Sequence, residues 1–232
     1  MEESNHLSEA LALELVAQQT SIPVPHVRRL VQSKYSKVIA MEHIPGKQLS
    51  VVWPTLSWSG RVRIAFIIHS YIRQLRKIQH PRSTIPGPLG GPDEGGKICQ
   101  SPLFGQVVET RGPFKTYADL THFFNDRLAR TVKSEARTLE SQGKPPSSVD
   151  SPTTFDDSQP LVLTHQDLNP RNFIVGDDGH LWLVDWAWAG FYPPWFEFVA
   201  MRRQTENEER VTRKKNPDWD VMIPFICGQF FE

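Results

Sequence analysis

Between residues 161 and 185 the chain alternates short apolar runs with turn residues at a spacing that a strand, a loop and a hairpin satisfy together. Residues 161–164 read as a short apolar strand, and 165–172 as a loop. Residues 173–175 and 180–184 read as two strands joined by Gly176-Asp177-Asp178-Gly179, a strong hairpin signal. Asp167, Asn172 and Asp185 then fall on loop ends beside a rigid hairpin, where a polar group can be both held and exposed.

The rest of the chain supplies helices to support such a unit. Leu7, Leu11 and Leu15, with Val16 alongside, predict an amphipathic helix over 7–19. Ile22-Pro23-Val24-Pro25 ends it, because proline disfavours helical geometry in the residue before it. Two short strands follow at 27–31 and 37–42, closed by Pro45-Gly46. Residues 60–78 carry Ile64, Ile67, Ile68, Tyr71, Ile72, Leu75 and Ile78 on one helical face. Residues 81–116 are rich in Pro and Gly and read as a long, irregular, mobile loop. A helix is predicted over 117–140 through Tyr117, Leu120, Phe124, Leu128 and Val132. Residues 141–160, dense in Ser, Pro and Asp, read as a second mobile segment. The tail opens with Pro193-Pro194, continues as a solvated helix of mixed charge around Arg202, Arg203, Glu206, Glu208, Glu209 and Arg210, and ends in the apolar run 222–226.

Composition narrows the function classes. With 39% hydrophobic and 22% charged residues over 232 positions, the chain is that of a soluble globular protein with a substantial core. Its 26 basic and 26 acidic residues cancel, so composition argues for neither a nucleic-acid nor an anionic-membrane partner. Cys99 and Cys227 form neither a disulfide framework nor a zinc pattern. The opening residues are polar and acidic, unlike a signal peptide. The longest apolar stretch, 64–72, is interrupted by His69 and too short to span a bilayer. These features predict a cytoplasmic protein.

The chemistry lies in His165-Gln166-Asp167-Leu168-Asn169-Pro170-Arg171-Asn172 and Val184-Asp185-Trp186, which fit H-x-D-x-x-x-x-N followed by a D-F-G-like triplet. In phosphoryl transfer one carboxylate accepts the proton of the attacking hydroxyl, here Asp167. An amide oxygen and a second carboxylate, Asn172 and Asp185, are hard ligands suited to Mg²⁺ shared with phosphate oxygens. His165 is expected to hold the loop by hydrogen bonds. Two other patterns are set aside. Residues 91–98 resemble a P-loop, but Ile98 replaces the required hydroxyl and no strand precedes it. Trp182, Trp186, Trp188 and Trp195 could form a cage for a quaternary ammonium group, although Trp182 alternates in a strand as packing residues do.

Residues 161–200 resemble the aminoglycoside phosphotransferase and choline-kinase-like superfamily, relatives of the protein kinases. The resemblance is carried by the two motifs above and by Ala189-Gly190-Phe191-Tyr192-Pro193. Weaker similarity extends through Ser8-Glu9-Ala10, Ile22-Pro23-Val24-Pro25, Ala40-Met41-Glu42-His43-Ile44-Pro45-Gly46, Gln74-Leu75 and Gly112-Pro113-Phe114, the last two as in fungal-type members. The resemblance implies an α+β, protein-kinase-like two-lobe fold. Residues 1–45 would be a remnant of the small lobe and hinge, and 46–232 a mostly helical large lobe carrying the catalytic hairpin. It implies ATP or GTP and Mg²⁺ as cofactors and a hydroxyl-bearing small molecule as acceptor. Met41, Glu42 and Ile44 would bind the nucleotide, Glu42 and Ile44 through a backbone carbonyl and N–H. Glu9 would be the small-lobe helix carboxylate that pairs with a phosphate-binding lysine. No Gly or Lys precedes Glu9 in this sequence, so the expectation is a phosphotransferase with a truncated small lobe. The alternative is a catalytically inactive pseudokinase acting as a binding or regulatory module. A choline- or ethanolamine-directed kinase would need the tryptophans to open into the cleft, and the basic residues of the tail argue against a polycationic aminoglycoside.

Overall fold

The computed structural model describes residues 5–32, 37–91, 96–143, 154–213 and 215–228. Helix α1 (Asn5–Gln19) leads into an antiparallel pair, β1 (Val27–Gln32) and β2 (Lys37–Met41), then into β3 (Gly46–Gln48). A short α2 (Leu49–Val52) and the long α3 (Trp58–Leu75) follow, then β4 (Gly87–Pro88) and α4 (Tyr117–Ser141). Strands β5 (Val162–Thr164), β6 (Phe173–Gly176), β7 (Leu181–Leu183) and β8 (Gly190–Tyr192) precede α5 (Phe196–Thr212) and α6 (Pro217–Cys227). Two three-stranded antiparallel sheets result, ordered β3-β6-β7 and β4-β8-β5.

The predicted hairpin is β6–β7. Its turn closes with Gly179 N–H on the Gly176 carbonyl at 2.9 Å, and Gly179 takes φ +81°, the left-handed geometry glycine accepts without strain. Asp178 braces the turn, accepting from the His180 N–H at 3.0 Å and from the Trp182 indole at 3.1 Å. The segment 22–25 runs alongside: the Pro23 carbonyl accepts the Leu183 N–H at 2.9 Å, while Ile22 and Val24 are buried. A proline-rich strand can lend carbonyls to a sheet edge without owing N–H groups.

Helix α1 differs from its predicted face. Ala10, Ala12, Leu13, Leu15 and Val16 are buried, whereas Leu7 and Leu11 are only half-buried. The helix packs on β1 and β2 and also joins the main core, so two sides are covered and no single stripe describes it. Its end is tied to the chain just beyond α3, where the Gln19 side-chain amide donates to the Gln79 carbonyl at 2.9 Å and accepts the Gln79 backbone N–H at 3.0 Å. The predicted face of α3 is the buried one: Ala65, Ile68, Tyr71, Ile72 and Leu75 enter the core. The Tyr71 hydroxyl donates to the Leu181 carbonyl at 2.7 Å, fastening α3 to β7.

Of segment 81–116, residues 92–95 lie outside the described residues; the rest is irregular, as expected, but anchored rather than loose. Leu89 joins the main core, while Cys99, Phe104 and Phe114 are buried with Leu120, Tyr192 and Phe196 in a second, aromatic core. Aperiodic spacing hid these contacts, because the segment packs through single side chains between turns. Helix α4 starts at a capping box, Thr116 with Asp119, and exposes most of its second half. Of segment 141–160, residues 144–153 lie outside the described residues. Phe155 is held: its backbone exchanges hydrogen bonds of 2.9 and 2.8 Å with the Asn125 amide, and its ring stacks on Trp195 at 5.0 Å. The mixed-charge helix of the tail is α5, and the apolar run belongs to α6, which packs on α3 and α5. Among the described residues, no helix is long and apolar enough to cross a membrane.

Gly46 sets the approach of β3 to the hairpin. It has φ +153°, and a Cβ there would press into the Val175 carbonyl oxygen and the Ile174 side chain. Gly46→Ala is therefore expected to lower unfolding stability by about 1–3 kcal/mol. A shift of the urea midpoint reads this; an unchanged midpoint contradicts it.

Candidate active site

Asp167 sits three residues beyond the end of β5, and its carboxylate is oriented by two amides. Asn169 Nδ2 donates to Oδ1 and Asn172 Nδ2 to Oδ2, each at 2.8 Å. The same amides also reach the Asp167 carbonyl, at 3.1 and 3.0 Å. Asn169 further caps the Pro170–Asn172 turn, accepting from the Arg171 N–H at 2.9 Å. Burial pushes the Asp167 carboxyl up to about 6, with the Asp185 charge adding to it and the two amides opposing it.

His165 is fully buried and works as a strut. Nδ1 accepts the Asp167 N–H at 3.2 Å, which places the ring proton on Nε2, 3.1 Å from the Val184 carbonyl. Burial pushes its pKa down to about 3, so it remains neutral. The loop is thereby joined to the residue preceding Asp185. A second tie is the Val184 N–H donating to the Asn172 carbonyl at 3.0 Å.

The group that holds the whole loop is Glu197, in the first turn of α5. It is only 2% exposed. Its two oxygens accept the backbone N–H groups of His165 at 2.7 Å and Gln166 at 2.9 Å. Gln166 needs this support: its φ is +65°, a left-handed geometry that costs a long side chain free energy unless the surroundings impose it. Burial pushes the Glu197 carboxyl up to about 7 against the pull of the two N–H groups and of the Arg76 charge. The Gln166 amide is buried next to the Tyr192 hydroxyl, yet neither completes a hydrogen bond of ordinary geometry. Neither Glu197 nor Gln166 is evident from the sequence. An acidic residue early in a helix ordinarily serves the helix dipole, and nothing marks Gln166. Asn169 was legible as an Asn-Pro turn former.

Asp185 ends the hairpin, exposed, with φ +64°. Glu9 reaches this point from α1: its carboxylate faces the Trp186 N–H, and burial first, then the Asp185 charge, raises its pKa. Among the described residues no cation pairs with Glu9. Three carboxylates therefore converge from three elements, with charge to spare. No group of three or more His, Cys, Asp or Glu side chains among the described residues could hold a metal alone. The donor set does fit Mg²⁺, which takes one or two protein oxygens and keeps waters and phosphate oxygens. Asn172 spends its Nδ2 on Asp167 and retains Oδ1, and Asp185 presents an exposed carboxylate.

Of the residues expected to contact a nucleotide, Met41 ends β2, and Glu42 and Ile44 lie on the link from β2 to β3. Met41 is exposed, Glu42 half-buried and Ile44 buried. The Glu42 N–H is taken by the His26 carbonyl at 2.9 Å, and its side chain accepts the His26 N–H at 3.3 Å. No hydrogen bond among the described residues takes up the Glu42 carbonyl or the Ile44 N–H. The tryptophans do not form a cage. Trp186 is buried with its indole on the Leu183 carbonyl at 3.1 Å, Trp182 braces the hairpin turn, and Trp195 stacks in the aromatic core.

A helical lobe bearing this loop and hairpin, with α1 and a strand pair above it, is a kinase-like α+β fold with a partial small lobe. A family model described as the phosphotransferase enzyme family matches residues 3–220, and the chain belongs to that family. No curated protein matches its sequence. Among solved structures, the GDP complex of a point mutant of aminoglycoside 2'-phosphotransferase IIIa is similar with a TM-score of 0.52 at 12% identity, over 98% of this chain and 67% of that one. The apoenzyme of macrolide 2'-phosphotransferase MphH from Brachybacterium faecium is similar with a TM-score of 0.50 at 19% identity, over 96% and 63%. These likenesses concern the fold.

Glu197→Gln removes one of the two acceptors and is expected to cost about 1–3 kcal/mol of unfolding stability. A carboxyl whose folded pKa is raised stabilises fully below its unfolded value and loses that contribution as pH rises. Wild-type stability should therefore fall between about pH 4.5 and 7 through this group, a slope that Glu197→Gln should flatten. Denaturant titration of both proteins across that window checks it; identical slopes would refute the assignment.

Proposed function

We propose that this protein transfers the γ-phosphoryl group of ATP or GTP, with Mg²⁺, to a hydroxyl of a small molecule. The observation that carries the reading is the alignment of the Asp167 carboxylate by Asn169 and Asn172 on the loop that leads into the β6–β7 hairpin, with Asp185 just beyond that hairpin. Asp167 takes the hydroxyl proton as the hydroxyl oxygen bonds to the γ-phosphorus, and the β–γ bridging oxygen leaves with the electron pair. Asn172 Oδ1 and Asp185 would hold Mg²⁺, which neutralises charge on the phosphates when bound. Glu42 carbonyl and Ile44 N–H, beside Met41, would read the base. The GDP complex of the similar aminoglycoside phosphotransferase supports a nucleotide here. Glu9, through the Trp186 N–H, would steady the backbone that presents Asp185.

We divide the chain near residue 45, with 1–45 as the small-lobe part and 46–232 as the large lobe. In support, β1 and β2 pair only with each other, whereas β3 joins the catalytic hairpin. The acceptor would occupy a cavity of about 380 Å³ beside Pro170, lined by Trp53, Arg61, Thr205, Glu208 and Asp218. Arg61 is ion-paired with Asp218 there, so the wall is of mixed charge, without the acidic surplus a polycation would require. A second reading, an inactive pseudokinase that binds ligand through the same cleft, draws on the absence of a cation beside Glu9 among the described residues. The two readings differ in turnover.

Calorimetry should show Mg²⁺-dependent ATP binding that Asp185→Ala abolishes. Absence of nucleotide binding in the wild type would defeat both readings in their nucleotide-dependent form. Asp167→Asn should keep nucleotide binding while losing on the order of 10²–10⁴ in transfer rate; binding without transfer in the wild type would select the pseudokinase. Because Asp167 must be ionised to accept a proton, kcat/KM should rise with pH through about 6, and a rate independent of pH there would remove Asp167 as the base.

A further inference from the structure

On α4, away from the catalytic loop, a guanidinium is confined without an anion. Arg127 lies over the Phe123 ring, 4.4 Å from its centroid. It also packs against the backbone of Gly105, where φ is +79° and a Cβ would collide with the guanidinium. Among the described residues Arg127 makes no hydrogen bond and no ion pair. Arg111 stands close enough to repel it. That side chain gives Nη1 to the Gln100 carbonyl at 3.3 Å, and its buried Nε has no acceptor.

The neighbouring carboxylates are engaged elsewhere. Asp119 accepts the Lys115 and Thr116 N–H groups at 3.1 and 2.9 Å at the start of α4. Asp126 pairs with Arg130 at 3.2 Å on the solvent side, where the Arg130 side chain is 80% exposed. These groups, with Thr110 and His122, surround a depression of about 340 Å³ that none of Glu9, Asp167, Asn172 or Asp185 lines. Burial first, then the Arg130 and Arg111 charges, disfavours the cationic form of Arg127. Half-buried, Arg127 keeps contact with water but has no anionic partner among the described residues, so an anion entering the depression would meet its guanidinium directly. The stacked, planar fork is suited to receiving two oxygens of one group.

We propose that this depression is an anion-binding subsite that takes a phosphate- or carboxylate-sized group on the fork of Arg127, with Arg111 behind it. The group is either a free anion or the anionic end of a larger ligand. The test titrates inorganic phosphate into the full chain at constant ionic strength, with chloride as comparator. Its readout is the ¹⁵N–¹H signal of the Arg127 Nε–H. A saturable displacement of that signal is expected.

Binding should weaken roughly tenfold or more in Arg127→Gln, followed by calorimetry, and stay unchanged in Asp185→Ala. Arg127→Lys, which keeps the charge but not the fork, should fall between, and it serves if the glutamine variant does not fold. Phenyl phosphate binding more tightly than inorganic phosphate would identify the end of a larger ligand, and equal affinity a free anion. No saturable response in the wild type, equal affinity in Arg127→Gln, or a response abolished only by Asp185→Ala would each overturn the proposal.

Discussion

A carboxylate that water cannot reach holds the backbone on which the candidate base is displayed. Glu197 accepts the N–H groups of two consecutive residues, and the second of these, Gln166, sits in a backbone region its side chain ordinarily avoids. Without an acceptor on each side, those buried N–H groups would be left unpaired, a penalty comparable with the strain they now sustain. The arrangement extends outward from there. His165 bridges to Val184, Asn169 and Asn172 grip Asp167, and the Asn172 carbonyl is tied to Val184. The candidate base and the candidate metal ligands are thus parts of one hydrogen-bonded unit, which α5 holds through Glu197.

The electrostatics of this unit suit a cation-dependent reaction. Glu9, Asp167 and Asp185 come from α1, the loop after β5 and the end of β7, and the first two are pushed upward in pKa by burial and by Asp185. Negative charge gathered at this density is unfavourable until something positive arrives. The hairpin beside these carboxylates is fastened to its surroundings: Tyr71 ties α3 to β7, and Pro23 extends the hairpin's edge. The acidic catalytic cluster and the cationic Arg127 pocket are therefore opposite cases of one physics, charge confined by packing and left for a ligand to answer.

How much was legible depended on whether a signal was local. The β6–β7 hairpin and the buried face of α3 follow from turn residues and from a 3.6-residue period, and both stand where the pattern placed them. Helix α1 was placed correctly, and Leu15 and Val16 of its predicted face are buried, but Ala10, Ala12 and Leu13 are buried too, since burial on two sides widens a stripe. Segment 81–116 carried no period, yet Phe104 and Phe114 seat it in an aromatic core built with Tyr192 and Phe196 from far along the chain. Trp182, Trp186 and Trp195 are near in sequence and went to different surroundings, which only packing could assign.

The sequence by itself determined the candidate reactive set. Asp167, Asn172 and Asp185 are joined by a short loop and one hairpin, so their proximity follows from local geometry. What only the tertiary structure decided is what surrounds them. That Glu197 faces the loop backbone, that Glu9 meets Trp186 and that Arg127 lies against Gly105 are consequences of elements distant in sequence packing together. The environment of a charge is set by every atom around it, and a pattern along the chain records only those that are neighbours in sequence.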